Sequence, residues 1–155
     1  PLRLVGSEMC IRDRFTKLER LLQAEPRSER VVYCDGKADR STGKELQVYG
    51  DANLLTLALI NLIRNALQAV EGQEDGIVRV DTCAGATGHL LIIITDNGPG
   101  IPPERLSAIF TPFFSTKSGG SGIGLPISQR IMQLHGGQLS VSSIPNVRTE
   151  FRMEF

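Results

Sequence analysis

A chain of 155 residues is long enough for one domain with a buried core and too short for two. Hydrophobic residues make up 41% of it, and 17 basic side chains balance 17 acidic ones, so no net field attracts nucleic acid or an anionic membrane. No apolar run approaches the length that crosses a bilayer. Three cysteines (Cys10, Cys34 and Cys83) without C-x-x-C spacing indicate neither a disulfide framework nor a zinc site, and they fit a reducing, cytoplasmic setting.

The first residues are unlike the rest of the chain. Arg3 to Asp13 read R-L-V-G-S-E-M-C-I-R-D, with no clear helical or alternating period and no apolar stretch of a signal peptide. Codon by codon, the string resembles the translation of a transposon-based sequencing-library adapter. We therefore expect residues 1–14 to be non-native and the reading frame to be cut at its 5′ end; the alternative is a genuine linker helix. The intact gene in the source DNA decides between them.

The first half of the remaining chain predicts a helix, two strands and a long helix. Apolar residues at helical spacing predict a helix over about residues 15–24, which we interpret as part of a connecting helix over 15–27. Val31–Cys34 and Leu46–Tyr49 are β-rich and predict a hairpin with a long polar loop. Asp51 is placed as the N-cap of a long amphipathic helix that ends at Gly72.

The second half predicts the remaining strands of a sheet and two further helices. His89–Thr95 is almost wholly apolar, which predicts a strand buried on both faces. The other predicted elements are, in order, a strand at Ile77–Thr82, a short helix opened by Pro102 and Pro103, a loop at Thr111–Gly122, a helix at Ile123–Leu134, and two alternating strands around a turn at Pro145 and Asn146. The fold class is α+β, a two-layer sandwich of a mixed β-sheet with about three helices on one face.

Three segments have residue types suited to a nucleotide. Asn61 and Asn65 lie four apart and share one helix face, although local hydrogen bonding explains an isolated asparagine pair more simply. The sequence D-N-G-P-G at 96–100 follows the apolar strand and lets backbone approach a ligand closely, as a simple tight turn also would. Residues 119–125, G-G-S-G-I-G-L, lead into a helix, an arrangement that suits phosphate but also occurs in flexible loops.

The order of these segments resembles that of the catalytic domains of histidine kinases, in the GHKL superfamily of the Bergerat fold, which includes DNA gyrase, the heat-shock chaperone and mismatch-repair ATPases. The resemblance covers about Leu46 to Phe155. Four family motifs match in order: the N box at Asn61–Ala66, the first glycine box at Asp96–Gly100, the F box at Ile109–Phe114 and the second glycine box at Gly120–Leu125. The strings F-T-P-F-F-S-T-K and N-A-L-Q-A are most similar to kinases of the nitrogen-regulation type.

The resemblance implies roles for individual residues. Asn65 would ligate Mg²⁺ through its amide oxygen, and Asn61 would lie beside the γ-phosphate of ATP. Asp96, supported by Thr149, would accept a hydrogen bond from the exocyclic amine of adenine. Lys117 would reach the phosphates as a catalytic cation; a solvated lysine is the alternative. The other residues implied in ATP binding are Gly98, Gly100, Ile101, Gly120, Ser121, Gly122, Ile123, Gly124 and Leu125.

The implied function is transfer of the γ-phosphate of ATP to a histidine on a dimerisation domain absent from this chain, with a response regulator as the downstream partner. An amide at Asn61 cannot take a proton from water, which favours transfer over hydrolysis. The alternatives are a serine/threonine kinase of the anti-sigma type and a module that senses ATP without transfer. Residues 28–155 would form the catalytic domain, and any inner-membrane anchor of the full-length protein would lie outside it.

The resemblance fails at two points. The resemblance implies a phosphate-accepting histidine in an upstream helix, and this chain has none. Its only histidines are His89, which enters a strand, and His135, which ends a helix, so we expect structural or surface roles for both. Arg148 precedes Thr149 where the family usually has glycine, which puts the local backbone conformation in doubt.

Overall fold

A computed structural model describes residues 6–34, 47–85, 89–115 and 120–155. The helices are α1 (Ile11–Leu22), α2 (Ala52–Ala69), α3 (Pro103–Leu106) and α4 (Gly124–Leu134). The strands are β1 (Ser7–Cys10), β2 (Val31–Cys34), β3 (Gln47–Gly50), β4 (Val78–Ala84), β5 (Leu90–Asp96), β6 (Gln138–Ile144) and β7 (Arg148–Glu154). These elements confirm the predicted α+β class with a mixed sheet.

The main sheet has five strands in the order β2-β4-β5-β7-β6, parallel between β2 and β4 and antiparallel elsewhere. The predicted hairpin between β2 and β3 is wrong, because β3 pairs with β1 in a separate two-stranded sheet. A long connection imposes no register in the way that a two-residue turn does. Strand β2 therefore pairs with β4 in the main sheet, and β3 pairs with β1.

The helices cover one face of this sheet and form a single core with it. Along β5, Leu90, Ile92 and Ile94 are buried, whereas Leu91 and Ile93 are partly exposed. The prediction that this strand is buried on both faces is therefore wrong. Leucine and isoleucine occupy the open face of β5 as well as the buried face, so the sequence does not show that its residues are alternately buried and partly exposed.

Helix α1 begins earlier than the sequence predicts. Ile11 is 3% exposed and shares a buried stripe with Phe15, Leu18 and Leu22, so the helix crosses the boundary expected between residues 14 and 15. The non-native origin of residues 1–14 stays a prediction that the source gene tests. In the part of the chain that the structure describes, no helix is both long and apolar enough to cross a membrane.

Asp51 is the N-cap of α2, as predicted. Its Oδ1 accepts hydrogen bonds from the N–H groups of Asn53 at 2.8 Å and Leu54 at 3.0 Å. The bond from Leu54, and next that from Asn53, lowers the pKa of the Asp51 carboxyl. Because the pKa is lower in the folded than in the unfolded state, the stabilisation is present above the unfolded value and is lost as the pH falls through the folded value.

We therefore expect Asp51→Asn, which still caps the helix but does not titrate, to lose less stability in acid than the wild type. Thermal unfolding between neutral pH and about pH 2.5 measures this, since the unfolded carboxyl has a pKa of about 3.9. The melting-temperature advantage of the wild type should shrink on acidification. An advantage that stays constant over this range would contradict the titration of the cap.

Candidate nucleotide-binding site

A cavity of about 570 Å³ opens between α2, the turn after β5, α3 and the start of α4. The predicted site residues that line it are Asn61, Asn65, Asp96, Gly100, Ile101, Gly120, Ser121, Gly122, Gly124, Leu125 and Thr149. Gly98 and Ile123 are outside the lining, and Ile123 is 39% exposed. Lys117 falls outside the residues that the structure describes. Residues from separate motifs thus share one cavity.

Asp96 lies at the buried end of β5. It is only 3% exposed, and its Oδ1 accepts a hydrogen bond from the N–H of Gly98 at 2.9 Å. A Cβ added at Gly98 would lie 2.8 Å from that oxygen and 3.0 Å from the carbonyl oxygen of Ala69, so the turn needs a glycine there. Thr149 is the register partner of Asp96 on β7 and is also buried. This end of the cavity offers a carboxylate and a hydroxyl side by side.

The two asparagines line the α2 side of the cavity. The Nδ2 of Asn61 donates to the carbonyl oxygen of Gly124 and to Ser128 Oγ, both at 3.4 Å, which ties α2 to the first turn of α4. Asn65 is half-buried, and among the described residues its amide has no hydrogen-bond partner. The amide of Asn65 is therefore available to a ligand, whereas that of Asn61 already contacts the protein.

The second glycine box is tied to the F box. The N–H of Phe113 donates to the carbonyl oxygen of Gly122 at 2.9 Å. Gly122 has a positive φ of 67°, and a Cβ there would lie 2.6 Å from the carbonyl carbon of Phe113. Phe113 itself has a φ of 65° and a side chain that is 82% exposed. Both the backbone conformation and the close contact thus require glycine at 122.

We expect Gly122→Ala to weaken ATP binding at least about tenfold, since an alanine there must displace the F box and adopt a strained conformation at a cost of about 1–2 kcal/mol. Gly136→Ala is the matched control, because Gly136 also has a positive φ (72°) but an added Cβ there meets no atom within 4 Å. Isothermal titration calorimetry measures both. Equal ATP affinity in the two variants would show that the clash at 122 does not reach the cavity.

Arg148 fits where the family usually has glycine because it has the ordinary backbone of a strand. Its Nη1 donates to Oε2 of Glu150 at 3.1 Å, and the Nε of Arg152 donates to Oε1 of the same carboxylate at 2.6 Å. The three side chains alternate with Thr149 along β7 and so lie on the opposite face of the sheet. The left-handed residue of this turn is Asn146, with φ 59°.

Four polar residues of the cavity wall are absent from the predicted site: Arg64, Gln68, Arg105 and Ser115, which directly follows the F box. Gln68 lies one turn beyond Asn65 on the same helix face, a signal that the spacing contained. Arg64 lies between the two asparagines and forms an ion pair with Glu25. Arg105 comes from α3, and no local pattern links it to the other motifs. With Asp96, the two arginines are the charged residues of the described wall.

The histidines have structural positions, in line with the expectation. The Nε2 of His135 accepts the N–H of Asp51 at 2.9 Å, and its Nδ1 donates to the carbonyl oxygen of Ile131 at 2.7 Å. The end of α4 is thus joined to the start of α2. His89 is exposed, and its carbonyl oxygen accepts the N–H of Gly85 at 2.7 Å.

Sequence comparison assigns the family. Residues 50–155 match the family described as histidine kinase-, DNA gyrase B-, and HSP90-like ATPase. The chain belongs to this family. Sensor histidine kinase ZraS of Salmonella typhimurium is 42% identical over 98 residues, which cover 63% of this chain and 21% of that protein. Sensory histidine kinase/phosphatase NtrB of Vibrio alginolyticus is 35% identical over 142 residues, covering 86% of this chain and 39% of that protein.

The fold also matches solved histidine kinase domains. The catalytic domain of histidine kinase ThkA superposes with a TM-score of 0.78 at 26% identity, covering 97% of this chain and 94% of that one. The mycobacterial sensor histidine kinase MprB gives the same TM-score and identity, with 97% of each chain covered. The chain is therefore an ATP-binding catalytic domain of the histidine kinase type, and it spans well under half the length of the curated relatives described above.

Proposed function

We propose that this domain binds Mg-ATP and donates the γ-phosphate to a histidine on a dimerisation domain, from which a response regulator receives it. The observation that carries the proposal is the arrangement of one cavity: Asp96 and Thr149 lie at one end, and the Asn61–Asn65 face of α2 meets the second glycine box at the other. We place the domain in the cytoplasm, where ATP is available.

The end of the cavity at Asp96 and Thr149 is suited to adenine. A buried carboxylate accepts hydrogen bonds, so it matches the exocyclic amine of adenine, and it repels the carbonyl that guanine has at the same position. The hydroxyl of Thr149 lies on the neighbouring strand in register with Asp96. The specificity of the proposed kinase for ATP over GTP would arise here.

The phosphate end is suited to Mg²⁺ held partly by the nucleotide. In the described part of the chain, no three His, Cys, Asp or Glu side chains converge as a metal site. Mg²⁺ usually takes few protein ligands and completes its octahedron with phosphates and water, so one amide oxygen from Asn65 fits it. When bound, the ion would neutralise charge on the transferring phosphoryl group.

The remaining residues of the cavity would position the phosphates of ATP and neutralise their charge. No side chain caps the first turn of α4, so its N–H groups can face phosphate oxygens, and the glycine box would close over them. Asn61 would orient the γ-phosphate without acting as a base, because an amide does not accept a proton at neutral pH. Arg105 adds positive charge to the wall, whereas the charge of Arg64 is balanced by Glu25. Phosphoryl transfer needs mainly such positioning and charge neutralisation.

Transfer in trans tests the proposal. The chain is incubated with γ-labelled Mg-ATP and a separately purified dimerisation domain of an NtrB-type kinase, beside a variant of that domain whose acceptor histidine is replaced by glutamine. Label that is acid-labile and appears only on the unmodified domain is the expected result. Acid-stable label on serine or threonine would indicate the anti-sigma type of kinase. ATP binding without any transfer would indicate an ATP sensor.

A further inference from the structure

The first glycine box is held in place by the end of the β6–β7 hairpin. The N–H of Ile101 donates to Ser143 Oγ at 2.8 Å, and the N–H of Asn146 donates to the carbonyl oxygen of Pro99 at 2.8 Å. Between these bonds, Gly100 has a φ of 79°, and a Cβ there would lie 3.1 Å from Ser143 Oγ. Ser143 therefore stands at the contact between this hairpin and the cavity wall.

The Ser143 hydroxyl has three neighbours, and its proton inventory fixes the direction of each bond. A serine hydroxyl has one proton and two lone pairs. One lone pair accepts the N–H of Ile101, and the proton goes to the carbonyl oxygen of Arg148 at 3.1 Å, which has no proton to give. The remaining contact, 3.1 Å to Thr149 Oγ1, must use the proton of Thr149 and the second lone pair of Ser143.

This direction has a consequence at the cavity. Because the Thr149 hydroxyl donates its proton to Ser143, its oxygen can act only as a hydrogen-bond acceptor toward the cavity. Asp96, its register partner, is likewise an acceptor when ionised. Two adjacent acceptors match an amino group, and they leave a carbonyl group without a donor.

We propose that Ser143 is a positioning residue that sets the polarity of the Thr149 hydroxyl and thereby makes the cavity prefer a 6-amino purine to a 6-oxo purine. The inference rests on the proposed function, since it requires the base to lie at Asp96. Without the Ser143 hydroxyl, the proton of Thr149 is free to turn toward the cavity and donate to a 6-oxo group.

The test compares two nucleotides that differ at the decisive position. ADP has a 6-amino group, whereas inosine 5′-diphosphate has a 6-oxo group and otherwise the same purine frame. The ratio of their dissociation constants is measured by calorimetry for the wild type, Ser143→Ala and Ser143→Thr. Ser142→Ala is the matched control, because Ser142 is an exposed neighbour on the other face of β6.

We expect Ser143→Ala to lower the preference for ADP about tenfold, the effect of about one hydrogen bond. Ser143→Thr, which restores the hydroxyl, and Ser142→Ala should keep the wild-type preference. In a Thr149→Val background, Ser143→Ala should change the preference no further, because the hydroxyl through which it acts is gone. If Ser143→Ala does not fold, Ser143→Cys, a poor donor of similar size, is held to the same criterion.

A merely structural role gives a different pattern. If Ser143 only supports the turn, its replacement weakens the binding of ADP and of inosine diphosphate by the same factor. The ratio of the two dissociation constants then stays unchanged, which would overturn the inference. A further loss of the preference for ADP when Ser143→Ala is added to Thr149→Val would also overturn it. A wild-type chain that binds neither nucleotide would instead refute the proposed function.

Discussion

Asp96→Asn is expected to weaken ATP binding about a hundredfold. The substitution removes a hydrogen bond to a charged group, which contributes about 1.5–3 kcal/mol. The N–H of Gly98 also constrains the new side chain, because it donates to Oδ1 at 2.9 Å and will select the amide oxygen of asparagine. The amide nitrogen would then face the exocyclic amine of adenine, donor against donor.

Calorimetric titration with Mg-ATP measures this loss. Asp81→Asn is the control, since Asp81 lies on β4 beside Arg79 and does not line the cavity, so the same change there should leave ATP affinity unchanged. Unchanged affinity in Asp96→Asn would show that adenine is not recognised at this residue, whatever the rest of the cavity binds.

Asn65→Ala is expected to lower Mg²⁺-dependent transfer at least about a hundredfold, in the range found when a group that organises a catalytic metal is removed. Its amide lines the cavity without a hydrogen-bond partner among the described residues, so the substitution breaks no bond of that part of the fold. Helix stability should therefore change little, and alanine is the best helix former.

The measurement is the initial rate of label transfer in trans at several Mg²⁺ concentrations, together with ADP affinity in the presence of EDTA. We expect the rate to collapse and the metal-free affinity to stay within about threefold, because only the metal contact is lost. Asn53→Ala, an exposed asparagine in the first turn of the same helix, is the control. A transfer rate in Asn65→Ala that still rises with Mg²⁺ as in the wild type would place the metal elsewhere.

Local patterns in the sequence predict much of this domain. Asp51 caps α2 as predicted, because a capping side chain needs only the N–H groups two and three residues further along. Asn61, Asn65 and the glycine boxes could be predicted to share one site because each motif is contiguous and their order is distinctive, and most of these residues line one cavity. These features depend on neighbours in the chain.

What the sequence could not predict depends on contacts between distant segments. The partner of β3 is β1, a pairing that no turn specifies. Ser143 looks like one serine among several in an alternating strand, and only the close approach of Ile101 and Thr149 gives it a role. Arg148 takes the backbone of a strand, and its guanidinium donates to the carboxylate of Glu150, two residues further along β7.

The most direct test of the central claim is a competition titration of the wild-type chain with Mg-ATP and Mg-GTP. We expect one ATP bound per chain, GTP binding weaker by at least about tenfold, and loss of that preference in Asp96→Asn. Equal affinity for the two nucleotides, or no binding of ATP at all, would contradict the assignment of this cavity as the adenine nucleotide site of a histidine kinase-type catalytic domain.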